Sequence, residues 1–124
     1  MLADALRCAP PGAVALVDGR RTISYGALPA LIEREIDWLR ESGAERHAML
    51  ADNGVPWALA DLALHVGRLL SVPLPGSFTP AQVAHALDDA GVDALLTDDE
   101  ARARELLPGW RADGTSPVSG LQRF

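Results

Sequence analysis

The regular alternation of strand-like and helix-like segments restricts this 124-residue chain to a small group of folds. Short apolar runs typical of buried strands occupy residues 47–51, 69–74 and 94–97, and segments with helical spacing of apolar residues lie between them. Strands that are joined through helices by short loops usually pack parallel to one another in one sheet. We therefore predict an α/β fold with a mainly parallel sheet flanked by helices.

The segment RTISYGALPALI, residues 21–32, changes from a strand pattern to a helix pattern within a few residues. Up to Tyr25 the residues alternate and favour β-branched and aromatic types, whereas apolar residues after Ala27 recur at helical spacing. Pro29 lies near the start of this run, where its missing N–H is tolerated. The segment therefore predicts a corner at which a short strand leads into a helix over about residues 26–42.

Capping residues place the ends of other predicted helices. Thr79 can cap a helix with Pro80 at its first position and Gly91 after its end. Asp98 or Asp99 can cap the last helix. The remaining predicted elements are a helix at 2–8, strands at Val14–Val17 and Arg21–Ser24 paired around Asp18-Gly19, and a strongly apolar helix at 55–67.

The last part of the chain has a different composition. Residues 108–124 are rich in Gly, Pro and Ser, which predicts a connector with at most a short strand at its end. With 48% hydrophobic residues, the chain has enough apolar side chains for one folded core. We therefore predict an α/β N-terminal subdomain over residues 1–107 and a connector over residues 108–124.

The charge of the chain limits its partners. A net charge of −6 disfavours nucleic acid and anionic membranes, because both bind clustered positive charge. No apolar run approaches the roughly 20 residues of a membrane helix, and the first residues lack the pattern of a signal peptide. A cytoplasmic location is the expectation.

The chain contains no lysine, since all eleven basic residues are arginine. This absence excludes a phosphate loop that ends in lysine, a Schiff-base lysine and a lysine that holds a transferring phosphoryl group. Arginine is a poor substitute, because its guanidinium group does not deprotonate and is planar. Several classes of catalysis therefore cannot be carried out by these residues alone.

Four segments, taken together and in order, resemble the N-terminal part of AMP-forming acyl-CoA synthetases. These enzymes belong to the adenylate-forming superfamily, which includes luciferases and the adenylation domains of peptide synthetases. The likeness covers roughly residues 10–98. The segments are Thr22–Leu28, Asp52–Trp57, Ala63–Leu74 with its end Val72-Pro73-Leu74, and Thr79-Pro80 leading to Leu95–Asp98.

The resemblance implies the function of a longer enzyme. Such an enzyme activates a carboxylic acid with MgATP to an acyl-adenylate and then passes the acyl group to a thiol, usually that of coenzyme A. Its ATP phosphates are held by a Thr/Ser/Gly-rich loop with a lysine, and a second lysine comes from a mobile C-terminal domain. Neither motif is present here, and residues 119–124 resemble the approach to that loop. The expectation is a fragment that ends before the active site and binds no cofactor itself.

Asp61 and His65 are the most suggestive ionisable pair. They lie four residues apart on one face of the predicted helix and could act as an acid–base pair or as metal ligands. Because Arg68 follows one turn later, a solvated polar stripe is the preferred interpretation. His47 on a buried strand and His85 on a later helix share no ligand spacing with His65. Cys8 cannot form an internal disulfide and is interpreted as an inert thiol.

Two acidic segments complete the candidates. The run Asp98-Asp99-Glu100 at a helix N-terminus is explained by the helix dipole, and a divalent-cation site is the alternative. The loop Asp52-Asn53-Gly54 follows a strand and precedes a helix, where open α/β sheets bind ligands, although it lacks the glycines of a dinucleotide site. No catalytic, cofactor-binding or metal-binding residue is assigned.

Partners and alternatives follow from the fragment interpretation. The remainder of the enzyme is the expected partner. An unpaired sheet edge predicts a homodimer of the isolated chain, formed by edge pairing or by exchange of the segment after Pro108. A self-contained α/β interaction module without catalysis remains an alternative. An acyl-AMP ligase that acts on a carrier protein is a second alternative, because the acceptor pocket lies outside these residues.

Overall fold

The computed structural model describes residues 2–124, which form five helices and six strands. The predicted elements are confirmed, with ends that differ by one or two residues. In chain order they are α1 (Leu2–Cys8), β1 (Val14–Val17), β2 (Thr22–Ser24), α2 (Leu28–Glu41), β3 (Arg46–Leu50), α3 (Val55–Val66), β4 (Leu70–Pro73), α4 (Pro80–Ala90), β5 (Ala94–Thr97), α5 (Glu100–Leu106) and β6 (Gln122–Arg123).

The central sheet has the strand order β4–β3–β5–β6, and β1 and β2 form a separate antiparallel hairpin. β3 pairs parallel with both β4 and β5, whereas β6 pairs antiparallel with β5. Helices α3 and α4 lie in the β3–β4 and β4–β5 connections, which is the crossover that parallel strands require. The predicted α/β class with a mainly parallel sheet is therefore confirmed.

Alternate residues of β3 and β5 divide the core into two layers. Met49 and Leu96 pack in a cluster with buried residues of α2 and α3, whereas Leu50 and Leu95 pack with those of α4 and α5. This division follows from the period of two in a strand, which sends successive side chains to opposite faces of the sheet. Both faces are therefore covered by helices.

Local signals in the sequence explain the ends of α4. The Thr79 hydroxyl accepts a hydrogen bond from the Gln82 amide, and the Gln82 side chain accepts one from the Thr79 amide, which together form a capping box. At the other end Gly91 has a φ of 64° in the left-handed region that glycine favours. The cap and the stop predicted for this helix are both confirmed.

Asp18 joins the hairpin to α3. Its Oδ1 accepts hydrogen bonds from the amides of Arg20 and Arg21, and its Oδ2 accepts one of 2.7 Å from the amide of Val55. Since α3 has Gly54 before its first residue and no capping side chain of its own, Asp18 supplies the cap from a distant segment. These amides, the Val55 amide first, lower the pKa of Asp18.

Residues 113–124, which we call the C-terminal strap, fold back on themselves at the edge of the sheet. The strap includes β6, and the predicted short strand at the chain's end is thus confirmed. The outer side of β6 bonds to the strap itself, through the amides of Arg123 and Asp113 and a bridge between Thr115 and Gln122. This edge of the sheet is therefore already paired. The division at residue 107 stays a prediction.

Candidate functional site

Two adjoining clefts open at the carboxyl ends of β3, β4 and β5, where open α/β sheets bind ligands. Their volumes are about 250 Å³ and about 370 Å³. Because they share part of their walls, we treat them as one site, the carboxyl-edge cleft. The shared residues are Ala51, Asp52, Leu74 and Gly76.

Carboxylates line one end of the carboxyl-edge cleft. Asp98 Oδ2 accepts a hydrogen bond of 3.0 Å from the amide of Asp52, and Asp99 caps α5 by accepting one of 3.1 Å from the Arg102 amide. Both side chains therefore hold local backbone in place. Asp52 is exposed and follows β3, as the sequence predicted. Its role in ligand binding stays a prediction.

Arg102 is the positive residue of the carboxyl-edge cleft, but its guanidinium group is engaged. Its Nη2 donates to the carbonyl oxygen of Gly76 at 2.5 Å and to that of Phe78 at 3.4 Å. These contacts fix the loop after β4, which forms one wall of the cleft. With three carboxylates against one arginine, the site disfavours a highly charged anion such as a triphosphate.

The other end of the carboxyl-edge cleft is apolar. Trp57 from the first turn of α3 lies beside Pro73 and Pro75, which flank the end of β4. Trp57 is half-buried and packs against the core of the α2–α3 layer. The cleft therefore combines an acidic end with an apolar end.

Glu100, the third acidic residue of the predicted run, bonds to neighbouring side chains. Its Oε1 accepts from Arg104 Nη2 at 2.6 Å, and its Oε2 accepts from Gln122 Nε2 at 2.9 Å. The hydrogen bond from Arg104 and, after it, that from Gln122 lower the pKa of Glu100. Glu100 thus links α5 to the C-terminal strap.

Asp61 and His65 lie on one face of α3, as their spacing predicts. His65 Nδ1 is 2.7 Å from the carbonyl oxygen of Asp61 and 3.5 Å from its Oδ1. The His65 side chain is 60% exposed, which agrees with a solvated polar stripe. Asp61 Oδ1 is also 3.5 Å from the Ser71 hydroxyl on β4.

The other candidates lie apart from one another. His47 is buried on β3, His85 is exposed on α4, and Cys8 is exposed at the end of α1. Within residues 2–124, no group of three or more His, Cys, Asp or Glu side chains is arranged to hold a metal ion. In the same range no helix has the length and apolar character needed to cross a membrane.

The sequence analysis missed a set of buried polar residues between α2 and the C-terminal strap. Glu35, Ser116 and Arg123 are each 5% exposed or less. A signal for Glu35 is present in the sequence, because it lies seven residues after Leu28 and thus on the apolar face of α2. Arg123 and Ser116 carry no such signal, since their burial depends on how the strap folds back.

Comparison with known proteins gives the family of the chain. A sequence profile for the family described as AMP-binding enzyme matches residues 3–120. A comparison with curated proteins found no match.

Solved structures give similar folds. The o-succinylbenzoate CoA synthetase MenE from Bacillus subtilis, in complex with ATP and magnesium ion, has a TM-score of 0.77 at 20% identity, over 90% of this chain and 31% of that chain. The N-terminal domain of FACL13 from Mycobacterium tuberculosis has a TM-score of 0.76 at 20% identity, over 95% and 30%. The N-terminal subdomain of NpsA from Klebsiella oxytoca, in complex with 3-hydroxybenzoyl-AMSN, has a TM-score of 0.71 at 21% identity, over 94% and 33%. The chain thus spans about a third of the length of each structure.

These findings define the class first and the family second. The sheet with two helical layers has the fold of the N-terminal domains of adenylate-forming enzymes. The match over residues 3–120 then shows that the chain belongs to the AMP-binding enzyme family. The resemblance noted from the sequence is confirmed.

Proposed function

We propose that this chain is the N-terminal part of an ATP-dependent carboxylate-activating ligase, an AMP-forming acyl-CoA synthetase. The family match over nearly the whole chain carries the proposal. In the intact enzyme, a carboxylic acid and MgATP react to an acyl-adenylate with release of pyrophosphate. The acyl group then passes to the thiol of coenzyme A, and AMP is released. A cytoplasmic enzyme of fatty acid metabolism is the specific role that we assign to it.

The role of this chain in that enzyme is architectural. MgATP and coenzyme A are assigned to the intact protein, and no cofactor is assigned to residues 1–124. Two observations support this assignment: the chain has no lysine, and the carboxyl-edge cleft has an excess of carboxylates. The C-terminal strap is proposed to lead towards the phosphate loop of the intact enzyme.

Titration calorimetry with MgATP tests the assignment. The 124-residue chain is expected to give no saturable heat, because the carboxyl-edge cleft sets three carboxylates against one arginine and so repels a triphosphate. The intact protein, measured in the same buffer, serves as the positive control. Saturable micromolar binding to the 124-residue chain would contradict the architectural role.

A carrier-protein ligase and a self-contained interaction module are the alternative functions. The first differs in its acceptor, a phosphopantetheine thiol instead of coenzyme A, and assays of the intact protein with both acceptors separate them. The second is tested by the reading frame. A frame of several hundred residues with a lysine-containing Gly-rich loop supports the ligase, whereas a frame without such a loop supports the module.

We also propose that the isolated chain forms a homodimer through β4. Among the residues that the structure describes, β4 is the edge of the sheet whose outer side pairs with no other strand, and Leu70 on it is 45% exposed. Pro73 has no N–H and so weakens pairing at one end of the strand. Sedimentation over a range of concentrations is expected to show dimers, and a strict monomer at hundreds of micromolar would contradict the proposal.

A further inference from the structure

In the described part of the chain, four side-chain hydrogen bonds join the C-terminal strap to the rest of the molecule, in addition to the backbone pairing of β6 with β5. Arg21 Nη1 donates to the carbonyl oxygen of Val118 at 2.7 Å, and Arg123 Nη1 donates to that of Trp38 at 2.9 Å. The other two are the bond from Gln122 to Glu100 described above and a hydrogen bond from the Ser116 hydroxyl to Oε1 of Glu35.

The contact at Glu35 differs from the others because one oxygen of its buried carboxyl group is left without a partner. Glu35 is 0% exposed, and its Oε2 has no hydrogen-bond partner within residues 2–124. The Ser116 hydroxyl cannot also satisfy Oε2, because its single hydrogen is donated to Oε1 and its Oγ already accepts from the amides of Val118 and Ser119. An ionised Glu35 therefore leaves one charged oxygen unsatisfied inside the protein.

The surroundings of Glu35 favour the neutral acid. Burial raises the pKa of Glu35, and the opposing influences of Ser116, Ser119, Arg21 and Arg123 are smaller. Arg21 immediately precedes β2, and Arg123 belongs to the strap itself. Helix α3, which packs against α2, has only apolar buried residues.

The strap is suited to open as a unit separate from the main sheet. Its strand, β6, is two residues long and lies at the edge, whereas β3 is paired on both sides. Short edge segments with few backbone bonds to the sheet open at lower free energy than central strands. Opening removes Ser116 and Arg123 from α2 and gives Glu35 access to water.

We propose that Glu35 is a proton-controlled lock on the C-terminal strap, closed when its carboxyl group is protonated and opening more often when it is ionised. The reason is that a closed strap must bury the carboxylate, whereas an open strap leaves it hydrated. The bond between Ser116 and Glu35 stays in the ionised state but does not offset the lost hydration. Rising pH therefore shifts the strap towards the open form.

Amide hydrogen exchange of the whole 124-residue chain between pH 5 and pH 8 tests the lock. The ratio of measured to intrinsic exchange rate reports how often an amide opens. At the amides of Leu95 and Phe124, which bond to each other's carbonyl oxygens between β5 and the strap, we expect this ratio to rise by up to about tenfold per pH unit and to level off once Glu35 is ionised in the closed state. The amide of Leu74, which bonds to Met49 in the main sheet, should not follow this rise.

Two variants supply the controls. Glu35→Gln stays neutral and should give a ratio that does not change with pH, whereas Glu33→Gln, at an exposed position of the same helix, should behave as the wild type. If Glu35→Gln does not fold, the wild-type chain decides: the carbon-13 shift of the Glu35 carboxyl must change at the pH at which the exchange ratio of the Leu95 and Phe124 amides levels off. A rise that persists in Glu35→Gln, or that Leu74 shares, would overturn the proposal.

Discussion

The two faces of the central sheet are closed in different ways. On the α4–α5 face the core cluster consists of apolar side chains, with Val83 and Leu87 from α4 among them. On the α2–α3 face the apolar cluster lies beside buried ionisable residues, Glu35 on α2 and Arg123 on the C-terminal strap. The Arg123 guanidinium carbon lies 4.1 Å from the centre of the Trp38 ring, which adds a cation–π contact.

The comparison shows that apolar packing and buried hydrogen bonds have different effects: the first stabilises a layer, and the second fixes the position of a segment. Apolar packing stabilises both layers but is tolerant of small shifts, because dispersion and hydrophobic contacts have little directionality. Hydrogen bonds from buried charged groups fix a segment in one geometry and cost about 1–3 kcal/mol when one partner is removed. Hydrogen bonds therefore hold the strap in one position, whereas burial of apolar surface is the main source of stability for the α4–α5 layer.

The largest expected effect comes from apolar truncation, and it should be similar on the two faces. Leu64 on α3 is 0% exposed and Leu87 on α4 is 5% exposed. Leu64→Ala and Leu87→Ala should each lower the free energy of unfolding by about 2–5 kcal/mol, measured by urea denaturation. Leu62→Ala, at a partly buried position of α3, should be milder. A loss under about 0.5 kcal/mol at Leu87 would place the α4–α5 layer outside the core.

Removal of a strap contact should have the next largest effect. Ser116→Ala leaves Glu35 Oε1 without its donor, and we expect a loss of about 1–3 kcal/mol in the free energy of unfolding. Ser77→Ala is the matched control, since Ser77 is exposed in the loop after β4. Equal stability of the two variants would mean that the bond between Ser116 and Glu35 does not stabilise the strap.

On the α4–α5 face, the polar interaction to compare with the strap contact is the N-terminal cap of α4. Thr79→Ala removes the hydroxyl that accepts from the Gln82 amide and should lower the free energy of unfolding by about 0.5–2 kcal/mol. Thr79→Ser keeps the acceptor and should retain most of the stability. If both variants lose the same amount, the capping box does not account for the start of α4.

The smallest effect near neutral pH should come from His47. Burial lowers the pKa of His47, the smaller effect of the Asp93 carboxylate opposes it, and the positive charge of Arg123 adds to it. His47 therefore stays neutral in the folded state but binds a proton in the unfolded state as the pH decreases. Its contribution to the free energy of unfolding is complete above about pH 6.5 and falls as the pH decreases below that value. Urea denaturation at several pH values should show this fall, and His47→Gln should reduce it. An unchanged slope in His47→Gln would assign the fall to other groups.

The sequence predicts the helices and strands better than it predicts the tertiary contacts between them. The ends of α4 are set by local interactions at Thr79, Pro80 and Gly91. Such interactions can be predicted from the sequence without knowledge of the tertiary structure. The Asp18 cap on α3 and the strap contacts join residues far apart in sequence, so no local pattern encodes them. The carboxyl-edge cleft is predictable from the sequence only in part. Its position follows from Asp52 after a parallel strand, but its acidic and apolar ends depend on neighbouring strands.

Acid-dependent exchange between ATP and radioactive pyrophosphate, measured on the intact protein that contains this chain, tests the proposed function most directly. A panel of carboxylic acids is assayed, with the 124-residue chain alone as the matched control. We expect exchange with at least one acid in the intact protein and none in the control. An intact protein that is folded and binds ATP, yet supports no exchange with any acid of the panel, would contradict a carboxylate-activating ligase.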